Sequence, residues 1–453
     1  MKDDAPQHAS TDPAPAQGGG DVGLDAPLGL SAAGYVEACG RTIGASRESA
    51  LDAYKAFFWH GREARPRPSQ RMRALGVPDL PSGSTSEESL PRVAPISSVV
   101  IDEGAEGKIF KFTQDVAASG SRLDGSVRTL RTESVLIPMI GKRRVRTYTL
   151  CVSSQVGCAM GCTFCETAQM GLIRSLSAAE IVQQWYAATH LLKHPDIPEP
   201  VVTPQGLEGP VRNIVFMGMG EPMDNLDAVL GAIDVLRDHR GPSIPISKIT
   251  ISTVGRVDGI ERLGAQVRQP GWHRLNLAIS LNAADDRIRD DLMPINRRWK
   301  LSELQRSLID YPVFGGGKLC VEYVLIPGVN DTEDDARKIA AFVGPINADY
   351  KARRGAATAR VLLNLIPYNP RRNSPWPAPT EESVQRFMGW LTALDVYTKR
   401  RRTKGRDLMG ACGQLGSEHI RKRRLVDATG AAVVEQGGEQ RGEQRVGLTV
   451  DGA

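Results

Sequence analysis

The stretch Tyr148-Thr-Leu-Cys-Val-Ser-Ser-Gln-Val-Gly-Cys158-Ala-Met-Gly-Cys162-Thr-Phe-Cys165 decides how this chain is read. Its first part, Tyr148–Ser153, mixes β-branched, aromatic and aliphatic residues and predicts a strand. Its second part sets three cysteines at spacings of four and three on the loop that follows. Thiolates so placed can converge on one metal centre. Zinc would need a fourth ligand, and no histidine lies close in sequence. A 4Fe–4S cluster held by three cysteines leaves one iron open to a substrate. The spacing therefore favours a cluster over zinc. Small and polar neighbours make three buried structural cysteines a poor reading.

Downstream of this loop, short β-rich runs alternate with helical ones. After Tyr148–Ser153 the predicted strands are Asn213–Met217, Lys248–Ser252, Leu275–Ser280, Leu319–Leu325 and Val361–Ile366. Ser177-Ala-Ala-Glu180 is a capping box that opens the first helix. Asp227–Arg237, Leu301–Ile309, Thr332–Val343 and Glu381–Leu394 carry helical periodicity. Strands joined by helical crossovers imply a parallel sheet with right-handed connections. Six are too few to close the eight-stranded TIM barrel. The predicted fold is α/β, a partial (β/α)6 TIM-like barrel, with a small N-terminal helical and β accessory region and disordered tails.

The flanks complete the domain plan. Residues 1–30 and 425–453 read as disordered tails. Residues 31–95 read as a helical accessory domain, where Leu51, Tyr54, Phe57 and Phe58 share a helix face within Ser46–Trp59. Residues 96–147 read as a small antiparallel sheet that includes Ile109–Phe112 and Ser134–Ile137. The barrel covers 148–400, and a basic segment covers 401–424. The Pro-rich stretch His194–Pro210 reads as an inserted surface loop.

Composition narrows the function. At 453 residues and 41% hydrophobic, most of the chain can bury a core. No run of about 18 apolar residues exists to span a membrane. The start Met1-Lys2-Asp3-Asp4 has no apolar block behind it, which reads as no secretory signal. Seven cysteines, three of them crowded together, suit metal chemistry in a reducing, cytoplasmic setting rather than a disulfide scaffold. Net charge is only +5, but Lys399–Arg424 holds ten Lys/Arg against two acids. A second basic cluster, Lys142, Arg143, Arg144 and Arg146, precedes the cysteine loop. Two basic clusters around one candidate site point to a polyanionic partner.

Several motifs then narrow the chemistry. Cys-x3-Cys-x2-Cys behind the first strand of a βα repeat resembles the radical S-adenosylmethionine superfamily. Cys151-Val-Ser-Ser-Gln-Val-Gly-Cys158, Thr167-Ala-Gln-Met-Gly171, Gly218-Met-Gly-Glu-Pro222 and Ala411-Cys412-Gly-Gln-Leu415 together resemble the RlmN/Cfr family of RNA adenine methyltransferases. The likeness runs from about Glu133 to Leu415. It implies that Cys158, Cys162 and Cys165 hold a 4Fe–4S cluster. It implies that Gly220, Glu221, Ser252, Ser280, Leu281, Asn282 and Asn369 bind S-adenosylmethionine, with Glu221 accepting from its ammonium. Position 282 is Asn where many relatives have His.

The same resemblance gives the two remaining cysteines different tasks. Cys412 matches a methyl-carrying cysteine, Cys151 its resolving partner and Glu133 a proton acceptor. Read alone, either cysteine would be a buried structural thiol. An electron-poor adenine carbon does not attack an electrophilic methyl group, so a radical route through a methylated Cys412 is implied. Attack by Cys151 on the Cys412 sulfur then releases product and leaves a disulfide to be reduced. Implied partners are 23S ribosomal RNA, transfer RNA and a flavodoxin or ferredoxin as electron donor, with the enzyme a monomer. Carbon 2 is favoured over carbon 8, the rarer branch. Cys39 and Cys320 match nothing, and Cys320 reads as core. Two other classes compete: a non-catalytic zinc-stabilised RNA-binding protein, and a radical enzyme acting on a small molecule.

Overall fold

A computed structural model describes residues 27–62, 64–74, 93–104, 106–121, 127–140, 146–204, 206–314, 317–354, 361–401 and 413–416. Cys412, Lys142, Arg143, Arg144, Arg402 and both terminal tails before residue 27 and after residue 416 lie outside these residues.

Ten strands among the described residues form one sheet whose spatial order equals their chain order. They are β1 (Ile96–Gly104), β2 (Gly107–Ser121), β3 (Val127–Ile140), β4 (Arg146–Cys151), β5 (Val211–Phe216), β6 (Ile249–Thr253), β7 (Asn276–Ser280), β8 (Leu319–Leu325), β9 (Leu362–Pro367) and β10 (Thr398–Arg400). Pairing is parallel from β4 to β10. Each of the six predicted barrel strands is present, with its ends shifted by two residues at most. A seventh parallel strand, β10, extends the row.

The antiparallel β1–β3 ribbon is not a separate sheet. Its β3 pairs with β4, Val135 opposite Cys151, so the ribbon continues the barrel wall. Pro27–Gly29, read above as part of a tail, forms a 3-10 turn whose Leu28 is buried. The stretch His194–Pro210 contains the short strand pair Val201–Thr203 and Gly206–Glu208.

Alternation along the parallel strands separates two environments. Outward residues, among them Ile214, Ile251, Leu277, Val321 and Leu363, are fully buried under the helices and make the main core. Many inward residues are small or polar, among them Thr149, Asn213, Thr250, Asn276, Ala278 and Asn364, beside the apolar Val215, Leu362 and Ile366. A closed TIM barrel packs this interior with branched apolar side chains. Here it stays open as a lumen. Cys320 faces it rather than the core, because its place in the β8 alternation points inward beside Glu322.

The helices follow the sequence closely. Ser46 caps Arg47–His60, and Tyr54, Phe57 and Phe58 are buried against the barrel helix Ala178–Tyr186 through Phe57–Tyr186 and Phe58–Trp185 contacts. Ser177 and Glu180 form the capping box. The helix expected to end at Val343 runs on from Glu333 to Arg354 with Pro345 inside it. Proline there leaves the Ala341 carbonyl without its helical donor. Gln305 Nε2 fills the gap, donating to Ala341 O at 3.4 Å and to Phe342 O at 2.7 Å.

Candidate active site

The cysteine loop owes its path to glycine. Gly157 and Gly161 have φ of 78° and 67°, in the left-handed region. A Cβ on Gly157 would collide with the Gly171 carbonyl oxygen, which instead accepts from Cys158 N at 3.0 Å. Cys165 N donates to Cys162 O, and Cys165 caps the short helix Glu166–Gln169. The loop rests on the turn after helix Asp286–Leu292, with Thr163 N donating to Leu292 O at 3.0 Å.

All three thiols line one cavity of about 140 Å³ at the carboxyl ends of the strands. Burial pushes the Cys158 thiol up to about 12 and raises Cys162 and Cys165 as well. Thiols so buried ionise only when a metal replaces the proton. Among the described residues, no three His, Cys, Asp or Glu groups lie close enough to hold a single metal ion. Tetrahedral zinc, with bonds of about 2.3 Å, needs its sulfurs within about 4 Å of one another. A cluster gives each thiolate its own iron and relaxes that demand. Three cysteines on one cavity are a donor set that a 4Fe–4S cluster could take, with one iron left open.

The same cavity collects Gly220, Glu221, Ser252, Ser280, Asn282 and Asn369. Glu221 is 2% exposed, and burial lifts its carboxyl to about 7. Its two oxygens accept from Met223 N and Val254 N. The glycines of Gly218-Met-Gly220 line this cavity and also allow close packing. A Cβ on either would strike residues 152–155 of the chain behind β4. Asn282 adopts φ 55°, and its side chain is already engaged: Oδ1 accepts from Val324 N at 3.0 Å. Leu281 is fully buried and does not line the cavity, and its N–H donates to Glu322 O.

A second, larger cavity of about 620 Å³ fills the lumen beneath the first. Met217, Ile366 and Asn369 line both. Cys151, 6% exposed, lines the larger one. No disulfide joins two described cysteines. At the strand-start mouth stand Lys248, Lys318, Lys399 and Glu106. Arg401, from the basic segment, turns inward instead: its Nη1 lies 3.4 Å from Glu322 Oε1 and 3.5 Å from Met217 Sδ. Glu322 also accepts from Ser252 Oγ at 3.0 Å. Sequence reading passed over Glu322. The signal for it was a lone acid in the apolar run Leu319-Cys-Val-Glu-Tyr-Val-Leu325.

Gly413–Gly416 lies across the seam between the cavities. Glu166 N donates to Gly413 O at 2.7 Å, Gln414 Nε2 to Pro370 O at 3.0 Å, Thr167 Oγ1 to Leu415 O, and Gly416 N to Glu133 Oε2 at 3.1 Å. Gly413 lines the cysteine cavity and Leu415 the larger one. Glu133 is 2% exposed and paired with Lys111 Nζ at 3.0 Å, not solvent-facing as a lone strand Glu would be.

Comparison with known proteins places the chain among RNA methyltransferases. The chain superposes on a radical SAM methyltransferase from Sphaerobacter thermophilus with a TM-score of 0.65 and 30% identity, over 86% of this chain and 98% of that one. It is 41% identical over 283 residues to the dual-specificity RNA methyltransferase RlmN of Syntrophotalea carbinolica, spanning 62% of this chain and 66% of that protein. It is 38% identical over 306 residues to the probable dual-specificity RNA methyltransferase RlmN 1 of Protochlamydia amoebophila, spanning 68% and 75%. No protein-family model matches it. Fold and sequence likeness together define a radical S-adenosylmethionine methyltransferase. Within that class, the chain belongs to the RlmN/Cfr family of RNA methyltransferases.

Proposed function

We propose that this protein methylates carbon 2 of an adenine in 23S ribosomal RNA, and also accepts transfer RNA, with Cys412 as methyl carrier. The docked segment Gly413–Gly416 carries this reading. It sets the residue after Cys412 against the cysteine loop and, three residues on, reaches Glu133.

A cluster on Cys158, Cys162 and Cys165 supplies, when bound, an electron for radical chemistry on S-adenosylmethionine. That electron comes from a flavodoxin- or ferredoxin-type donor. Gly220, Glu221, Ser252, Ser280, Asn282 and Asn369 hold the cofactor in the smaller cavity, Glu221 taking its ammonium. Leu281 supports them from behind.

The larger cavity suits the target nucleotide. Asn213 and Asn364 offer amides to a base edge, and the mouth lysines offer charge to phosphates. Cys412 presents the methyl group to the adenine, and Glu133 accepts the ring proton. Cys151, in the wall of the same cavity, attacks the Cys412 sulfur and frees the product. Such an enzyme works in the cytoplasm as a monomer.

Mass spectrometry of nucleosides from ribosomal RNA, in cells lacking and regaining the gene, tests this. 2-Methyladenosine should vanish and return. A change in 8-methyladenosine instead would assign carbon 8, and no change in either would overturn the proposal.

A further inference from the structure

Helix Asp286–Leu292 carries an arginine on its buried face. Arg289 is fully buried, and the fold spends its guanidinium on neutral acceptors. Nε donates to Leu281 O at 3.0 Å, and Nη1 to Asn296 Oδ1 at 2.8 Å. Nη2 donates to Val254 O at 2.7 Å and to Ser280 O at 3.2 Å. Four of the five N–H groups are thus used, and no carboxylate among the described residues bonds the cation directly. Asp286 and Asp290 are reached only through Asn296 Nδ2. Burial pulls Arg289 down to about 10, so it stays charged at neutral pH.

An unpaired buried cation is costly unless something compensates it. Two of its carbonyl partners line the cysteine cavity, Val254 after β6 and Ser280 at the end of β7, and Leu281 lies behind them. The Val254 peptide is gripped from both sides, its N–H by Glu221 and its carbonyl by Arg289. The same helix ends on the cysteine loop, where Leu292 O accepts from Thr163 N. Cys162 is buried in one cluster with Leu292 and Met293, at the end of the same helix.

We propose that Arg289 is the charge-compensating and positioning residue of the cysteine pocket. It buckles the ends of β6 and β7 together and offsets the negative charge that three thiolates bring into the cavity. Adding an electron to a group held by those thiolates increases that negative charge, and a fixed cation in a low-dielectric wall lowers the cost. The inference rests on the cluster reading above.

The test uses anaerobically reconstituted full-length protein as wild type, Arg289→Lys and Arg289→Gln. Iron and sulfide per chain, the cluster midpoint potential and thermal melting are measured on each. Both variants forfeit hydrogen bonds, so both should melt earlier. Only Arg289→Gln loses the charge, so only it should shift the potential to more negative values, with Arg289→Lys staying near wild type. Asn296→Asp, which sets a carboxylate against Nη1, should shift it the same way with Arg289 in place. It decides the matter if Arg289→Gln does not fold. Equal shifts in the Lys and Gln variants, or none in Gln and Asp, would overturn the role. A wild-type protein that takes up no iron and sulfide would sink the cluster reading itself.

Discussion

The Gly416 amide donates to Glu133 Oε2 across 283 residues of sequence, and Lys111 Nζ pairs with the same oxygen. A strand residue near the start of the barrel thereby holds the segment beside Cys412. Breaking a buried pair by removing one partner costs about 3–5 kcal/mol, because the other charge is left stranded. Lys111→Met should therefore lower stability by about that amount in a denaturant melt. Glu133→Gln keeps an acceptor for Gly416 and should keep the segment docked, as read by limited proteolysis between residues 402 and 416.

Two glycines in the cysteine loop should differ sharply. Gly157→Ala drives a Cβ into the Gly171 carbonyl at positive φ, and should abolish iron and sulfide incorporation. At Gly161 only Pro294 Cγ lies nearby, at 3.6 Å. There the left-handed backbone alone should cost about 1–2 kcal/mol, with the cluster retained.

His190 should make stability fall in mild acid. Its Nε2 donates to Phe58 O, joining the N-terminal helices to the barrel, and burial depresses its pKa below the ordinary 6.5. The unfolded chain then binds the proton more readily than the folded one. Stability is complete above pH 6.5 and is lost as pH falls from there through the folded value. His190→Gln should flatten that part of a pH-dependent melting curve, and an unchanged slope would remove His190 as the cause.

RNA affinity should depend on the mouth lysines rather than on Arg401. Each phosphate that is no longer neutralised should reduce the log–log salt slope by roughly 0.7 to 0.9. Lys248→Glu with Lys318→Glu should weaken binding of a ribosomal RNA fragment and flatten its salt dependence. Arg401→Glu faces Glu322 inside the lumen and should chiefly destabilise the fold. Salt-independent binding by the wild type would move weight to a small-molecule substrate.

The two thiols should fail in different ways. Cys151→Ala should still couple to adenine and then stall, carrying nuclease-sensitive covalent RNA. Cys412→Ala should carry none, and neither should the double variant. Two merely destabilised proteins with one phenotype would argue for structural roles.

Local sequence was sufficient for much of this. Thiol spacing singles out the cysteine loop because ligand geometry constrains neighbours in sequence. The six barrel strands are legible because apolar β-rich runs alternate with helical periodicity. Ser177 announces its helix because a capping box is a local event, with Glu180 three residues on. Tertiary structure decided what depends on partners far along the chain. The β1–β3 ribbon pairs within itself, and that its β3 also joins β4 is a long-range pairing that local sequence does not specify. Cys320 and Glu322 sit in an apolar run, and curvature of the sheet turned them into an open lumen. Arg289 shares its helix face with Leu292, a charge on an apolar stripe, yet its four acceptors come from strand ends and a turn that only folding assembles. Glu133 read alone as a surface acid, and Lys111 and Gly416, brought to it from the neighbouring strand and the distal segment, make it a buried anchor.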